Sequence, residues 1–216
     1  MSAQIKSSSK ERSYWCLKLL ALLQDMATQN TNAVQQLLAD VDCLEVERRY
    51  PESGLLFAGR RWRAYYHCHE TVFMHPNEHG HFHIFTDIGD QHWAHAAGLS
   101  IDAEGQPLQW FTVNRWVTDG PWLDSDVFLK QLKYITENNE EEGLVTSWLA
   151  TLLALYNDTL FDLFNSRDEK IRHHSTGCSE VVTQENRDLY TLSTQSVHLQ
   201  SKLEKHLLCD QGGVQG

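Results

Sequence analysis

Two histidine runs carry the strongest chemical signal in the chain: Tyr65-Tyr66-His67-Cys68-His69-Glu70 and Glu78-His79-Gly80-His81-Phe82-His83-Ile84-Phe85. They include five of the eight histidines, out of twelve in all, that fall between positions 67 and 95. Side chains of an extended strand alternate between faces. His67 and His69 therefore share one face, and so do His79, His81 and His83, while Gly80, Phe82 and Ile84 form an apolar set on the other side. A row of imidazoles backed by a row of core residues is a way to hold a metal ion, or a catalytic histidine set, on a rigid sheet.

The nine residues between His69 and His79 are enough to join two antiparallel strands. Pairing centred on that loop sets His67 opposite His81 and His69 opposite His79. A one-residue shift on each strand sets His67 opposite His83 and His69 opposite His81. Opposed Cβ atoms lie roughly 4.5–5.5 Å apart, a spacing from which two imidazoles reach one ion. The expected ligands are His67, His69, His79, His81 and His83, and the expected cofactor is a divalent transition metal: zinc, iron or copper. The bland alternative is a histidine-rich surface hairpin, or single core histidines bonded to backbone. Glu78 is the candidate catalytic base, or the group that orients a ligand. His92 and His95, three residues apart, offer one more ligand or plain loop chemistry. Cys68 points away from its histidine neighbours and reads as a core residue.

A second stretch, Trp110-Phe111-Thr112-Val113-Asn114-Arg115-Trp116-Val117-Thr118-Asp119-Gly120-Pro121-Trp122, encloses an Asn-Arg pair between tryptophans. Aromatic walls around an arginine suit a carboxylate or phosphate ligand. Asn114, Arg115 and Trp116 are therefore the candidate substrate-binding residues. On the competing reading the tryptophans are core and Arg115 pairs with a structural acid such as Asp119.

These residues need a sheet beneath them. Expected strands are Leu55–Phe57, Trp62–His69, Gly80–Phe85, His95–Ile101 and Leu108–Val113, joined by short connections that favour an antiparallel meander. Helical spacing recurs through Trp15, Leu19, Leu22, Leu23 and Met26, and again through Val34, Leu37, Leu38 and Val41. Further helices are expected over Ser125–Ile135, over Glu140 to about Phe164, and as a polar helix over Glu185–Leu208. His173, His174, His198 and His206 read as surface residues. The layout is α+β: an antiparallel sheet over about residues 55–113 flanked by N-terminal and C-terminal helices. One domain over residues 13–208 is expected between disordered tails at 1–12 and 209–216.

With 216 residues, 41% hydrophobic and 10% aromatic, the chain supports one well-cored domain. A formal charge of −11 argues against nucleic acid and against an anionic membrane as partners. Five cysteines without CxxC spacing fit reduced thiols in the cytoplasm. No stretch reads as a secretory signal or a membrane span.

The Glu78-His79-Gly80-His81-Phe82-His83 run, followed by Gly98-Leu99-Ser100 and Trp110 to Thr118, resembles an uncharacterised bacterial family of unknown function over roughly residues 45–123. That likeness implies a bacterial cytosolic protein and little chemistry. The run His79 to Phe85 also resembles the histidine-triad nucleotide hydrolases and transferases, which would make His81 a nucleophile. The HxH is loosely similar to cupin metal sites, without their downstream glutamate at the usual spacing. The leading expectation is a mononuclear metal-dependent enzyme acting on a small anionic substrate, hydrolytic or oxidative. A non-catalytic metal-binding or sensing module and histidine-triad chemistry are the alternatives.

Overall fold

A computed structural model describes residues 8–70, 75–90, 92–138 and 143–209. In chain order the elements are α1 (Ser9–Thr28), α2 (Ala33–Leu37), β1 (Tyr50–Phe57), β2 (Trp62–His67), β3 (Gly80–Asp87), β4 (Trp93–Ile101), β5 (Pro107–Val113), α3 (Arg115–Thr118), α4 (Ser125–Glu137), α5 (Leu144–Leu155), α6 (Asn157–His174), α7 (Glu180–Gln184), β6 (Thr191–Ser196) and α8 (Leu199–Cys209). The fold is α+β, as expected. The strands form one antiparallel sheet in the order β1-β2-β3-β4-β5-β6, the simplest meander. Among the described residues, no helix is long and apolar enough to cross a membrane.

The two faces of the sheet have different fates. Trp62, Ala64 and Tyr66 of β2, Phe82 and Ile84 of β3, Leu99 of β4 and Trp110 of β5 are fully buried beneath the helices. Phe128 of α4 meets Trp62, Trp148 of α5 meets Phe82, and Tyr156, just after α5, meets Trp110. α5 is buried along almost its whole length, because α1, α2, α4 and α6 all pack against it. Burying an aromatic or aliphatic side chain this way stabilises the fold by about 1.5–3 kcal/mol, and this layer gives the opposite face its rigidity.

Several element boundaries differ from expectation, each for a local reason. α1 begins at Ser9, so residues 9–12 are helical where a frayed tail is expected. Ser8 and Glu11 form a capping box: Ser8 Oγ accepts from the Glu11 N–H at 3.2 Å, and the Glu11 carboxylate accepts from the Ser8 N–H at 2.7 Å. The long helix expected from Glu140 to Phe164 is two helices, α5 and α6, with the break at Tyr156. The polar helix expected over 185–208 contains a sixth strand, β6, followed by α8. Among the described residues β6 pairs with β5 alone, through registers such as Thr112 with Ser193. The expected C-terminal tail lies outside the described residues except for Cys209, which ends α8.

Candidate metal centre

The β2–β3 pairing takes the loop-centred register, Tyr65 opposite His83 and His67 opposite His81. The histidines thus stand on the sheet face away from the helices. Four rings gather there. The His67 centroid lies 4.7 Å from that of His69, 4.5 Å from His81 and 5.0 Å from His83. His81 is also 5.1 Å from His69 and 4.9 Å from His83. His67, His81 and His83 are buried, and their ligand atoms lie close enough to hold one metal ion. A second such group, Glu47, His67 and His69, shares His67 and opens toward solvent.

Phe111 of β5 walls this cluster, 5.2 Å from His81 and 5.9 Å from His83. It reaches across β4 only because Gly98 lies there. A Cβ on Gly98 would stand 2.0 Å from Phe111 Cζ, far inside contact distance. One glycine therefore supplies the apolar side of the histidine site.

The ring nitrogens are ordered by outer partners. The Glu78 carboxylate accepts a hydrogen bond from His81 Nδ1 at 2.6 Å. Glu47 does the same for His69 Nδ1. His83 Nδ1 and His95 Nε2 are hydrogen-bonded at 2.9 Å. With their Nδ1 atoms engaged, His81 and His83 would offer Nε2 to a common ligand. His67 Nε2 stands 2.7 Å from His81 Nε2, a hydrogen-bond distance. Imidazoles held through Nδ1 by carboxylates or a second acceptor are the usual support of a metal-ligating histidine.

Electrostatics favour bare lone pairs. Burial pulls His67 down to about 3, helped by His81, His69 and Arg49. His83 falls well below its ordinary value, chiefly through burial, then through His81 and His95. His95 falls to about 3 through burial, the Arg167 guanidinium and His81. Neutral imidazoles are the form that binds metal.

The expected residues divide unevenly. His67, His69, His81 and His83 come together. His79 does not join them: its ring stacks on Tyr66, whose hydroxyl is hydrogen-bonded to its Nδ1 at 2.6 Å. β3 begins only at Gly80, so strict alternation does not extend to His79. Gly80, which has no Cβ, lets the Tyr66 phenol pass over it; a Cβ would meet the Tyr66 oxygen at 2.4 Å. Glu78 is at the site, but its Oε1 is committed to His81. Its side chain is 9% exposed, and among the described residues Oε2 has no hydrogen-bond partner. His92 lies outside, its Nδ1 donating to the Gly89 carbonyl. Cys68 is buried as expected.

His95 joins the site through a β-bulge. Ile84 pairs with Ala97 but Phe85 pairs with His95, so Ala96 is the extra residue. The bulge turns His95 onto the face of Phe85 and His83. Glu47 also lay beyond the sequence signal. It comes from the segment before β1, takes a left-handed φ of +65°, and donates its N–H to the Cys68 carbonyl at 2.9 Å. That clasp brings its carboxylate to His69.

The expected substrate-binding trio makes structural contacts. Asn114 is fully buried and caps α3, and its amide donates to the carbonyls of Thr183 at 3.0 Å and Asn186 at 3.3 Å. Arg115 pairs with Glu185, not Asp119, and donates to the Gly120 carbonyl. Trp116 Nε1 donates to the Leu189 carbonyl. The three residues pin the α7 region and the segment before β6 to the end of β5. The aromatic-walled arginine does exist, but it is Arg167, held 4.1 Å from both Trp122 and Phe164. Asn114→Ala is expected to lower stability by about 2–3 kcal/mol, from a lost cap and two buried hydrogen bonds. Metal content of the folded fraction should stay at the wild-type level, which urea denaturation and elemental analysis together would show.

Residues 16–197 match a family described as Domain of unknown function (DUF6969). The chain belongs to that family. No curated protein matches it, and no solved structure does. Membership of DUF6969 therefore agrees with the expected resemblance to an uncharacterised family, and the chemistry rests on the geometry of the site.

Proposed function

We propose that this DUF6969 protein is a metal-dependent enzyme with a mononuclear centre held by His67, His81 and His83. The observation that carries the reading is the outer bonding of the rings: the Nδ1 atoms of His69, His81 and His83 are all occupied. The set of nitrogen donors suits zinc, iron or copper. A cation bound by His67 Nε2 and His81 Nε2, now 2.7 Å apart, would replace their mutual hydrogen bond.

Such an ion would polarise a bound water or a substrate oxygen. The residues supply the rest. Glu78 fixes the tautomer of His81, and His95 is hydrogen-bonded to His83 Nδ1. Phe111 excludes water from one side. The opposite side, at His69 and Glu47, is open: their side chains are 13% and 64% exposed. A buried three-histidine set beside an exposed flank fits a catalytic centre better than a closed structural one. A covalent role for His81 is less favoured, because its Nε2 faces another imidazole instead of an open cleft. The free thiols of Cys16, Cys43, Cys68 and Cys178 fit a cytoplasmic setting.

The proximity of His69 to His67 and His81 favours one competing reading, a four-histidine site that binds metal without catalysis. The test is elemental analysis of untagged protein, followed by azide titration of the cobalt(II) form. One metal per chain and a spectral response to azide are expected. Two metals per chain would overturn the mononuclear centre, and a silent azide titration would favour the closed site.

A further inference from the structure

We propose that the open flank of the centre receives the carboxylate of a small organic acid, and that Arg49 is the residue that recognises it. The inference rests on the metal-centre reading and names its substrate class. Arg49 lies in the same segment as Glu47, and its guanidinium sits 4.7 Å from the centre of the Tyr65 ring. Tyr65 in turn lies against the histidines, with centroids 5.7 Å from His67 and 5.5 Å from His83. The cation is thus placed by stacking on the ring that borders the site.

Among the described residues, none accepts a hydrogen bond from the Arg49 guanidinium. Among the described residues, the ion pairs include Arg48 with Glu45 and Arg115 with Glu185, but no carboxylate pairs with Arg49. The side chain is exposed in a chain of formal charge −11. A guanidinium with free donors beside a metal centre suits a two-pronged grip on a carboxylate.

Carboxylate is favoured over phosphate on charge. The mouth offers one guanidinium and two carboxylates, Glu47 and Glu78, each bound to a histidine. A monoanion matches a single positive fork, whereas a phosphate dianion would bring a second negative charge toward both acids.

Calorimetry on the cobalt(II) protein at neutral pH tests this with acetate, pyruvate and lactate as probes, and with methyl pyruvate and inorganic phosphate as comparators. At least one acid should bind, methyl pyruvate should not, and phosphate should bind more weakly. Arg49→Ala should weaken the acid about 10-fold or more at unchanged cobalt content, with Arg49→Lys intermediate. Equal affinity in wild type and Arg49→Ala, tighter binding of phosphate, or no binding by any of the acids would overturn the assignment while leaving the metal centre standing. Failure to take up cobalt would instead overturn the metal reading, and this inference with it.

Discussion

Glu78→Gln should weaken metal binding about 10–100-fold, although Glu78 is not one of the three residues expected to touch the ion. The effect comes through His81. The Glu78 carboxylate accepts from His81 Nδ1 at 2.6 Å, so the proton stays on Nδ1 and the lone pair on Nε2. A glutamine removes the charge that strengthens this bond. It can also turn its NH2 toward the ring, which would draw the proton to Nε2 and silence the ligand. His81→Ala removes the donor itself and is expected to abolish stoichiometric binding. A chelator competition assay separates the three proteins, and far-UV circular dichroism confirms that each is folded. Wild-type affinity in Glu78→Gln combined with lost turnover would return Glu78 to direct catalysis, the role its sequence context suggests.

What the sequence made legible was the period-two pattern. His67, His81 and His83 could be placed on one face because β2 and β3 are regular over those positions. His69 keeps company with them beyond the end of β2 because Glu47 holds it there. Deviations from regularity decided the rest. His79 precedes the first residue of β3 and is claimed by Tyr66, while His95 is recruited by a bulge that no pattern of two reveals.

Long-range partners were equally hidden. Arg115 and Arg167 look alike as sequence, yet one is spent on Glu185 and the other is buried between Phe164 of its own helix and Trp122 of the segment before α4. β6 escaped notice because Thr191-Leu-Ser-Thr-Gln-Ser196 has little apolar alternation, and only Leu192 and Ser193 are buried. Pairing along β5 makes it a strand, and that is a tertiary fact.

Acid should unfold the metal-free protein in a pH range where most carboxylates are still charged. His67 and His95 are depressed to about 3 in the folded chain, against roughly 6.5 when unfolded. Between those values the unfolded chain binds more protons, so stability falls as pH drops from about 6.5 toward 3 and is complete above that window. At about pH 4.5, two units below the unfolded value, each histidine contributes a loss on the order of 2–3 kcal/mol. Both side chains are buried, so solvent screens little of this. His83 shifts in the same direction and adds to the loss.

A combined loss on the order of 5 kcal/mol is comparable to the whole stability of a small domain. Urea midpoints measured from pH 8 to pH 4 should therefore be flat above about pH 6.5 and fall steeply below it. His67→Gln and His95→Gln, which cannot charge, should each flatten that descent even if they lower the plateau. Bound zinc should move the descent to lower pH, because the proton and the ion compete for the same nitrogens. A curve level down to pH 5 in the metal-free protein would mean that these imidazoles meet solvent, and the buried histidine site would fail with it.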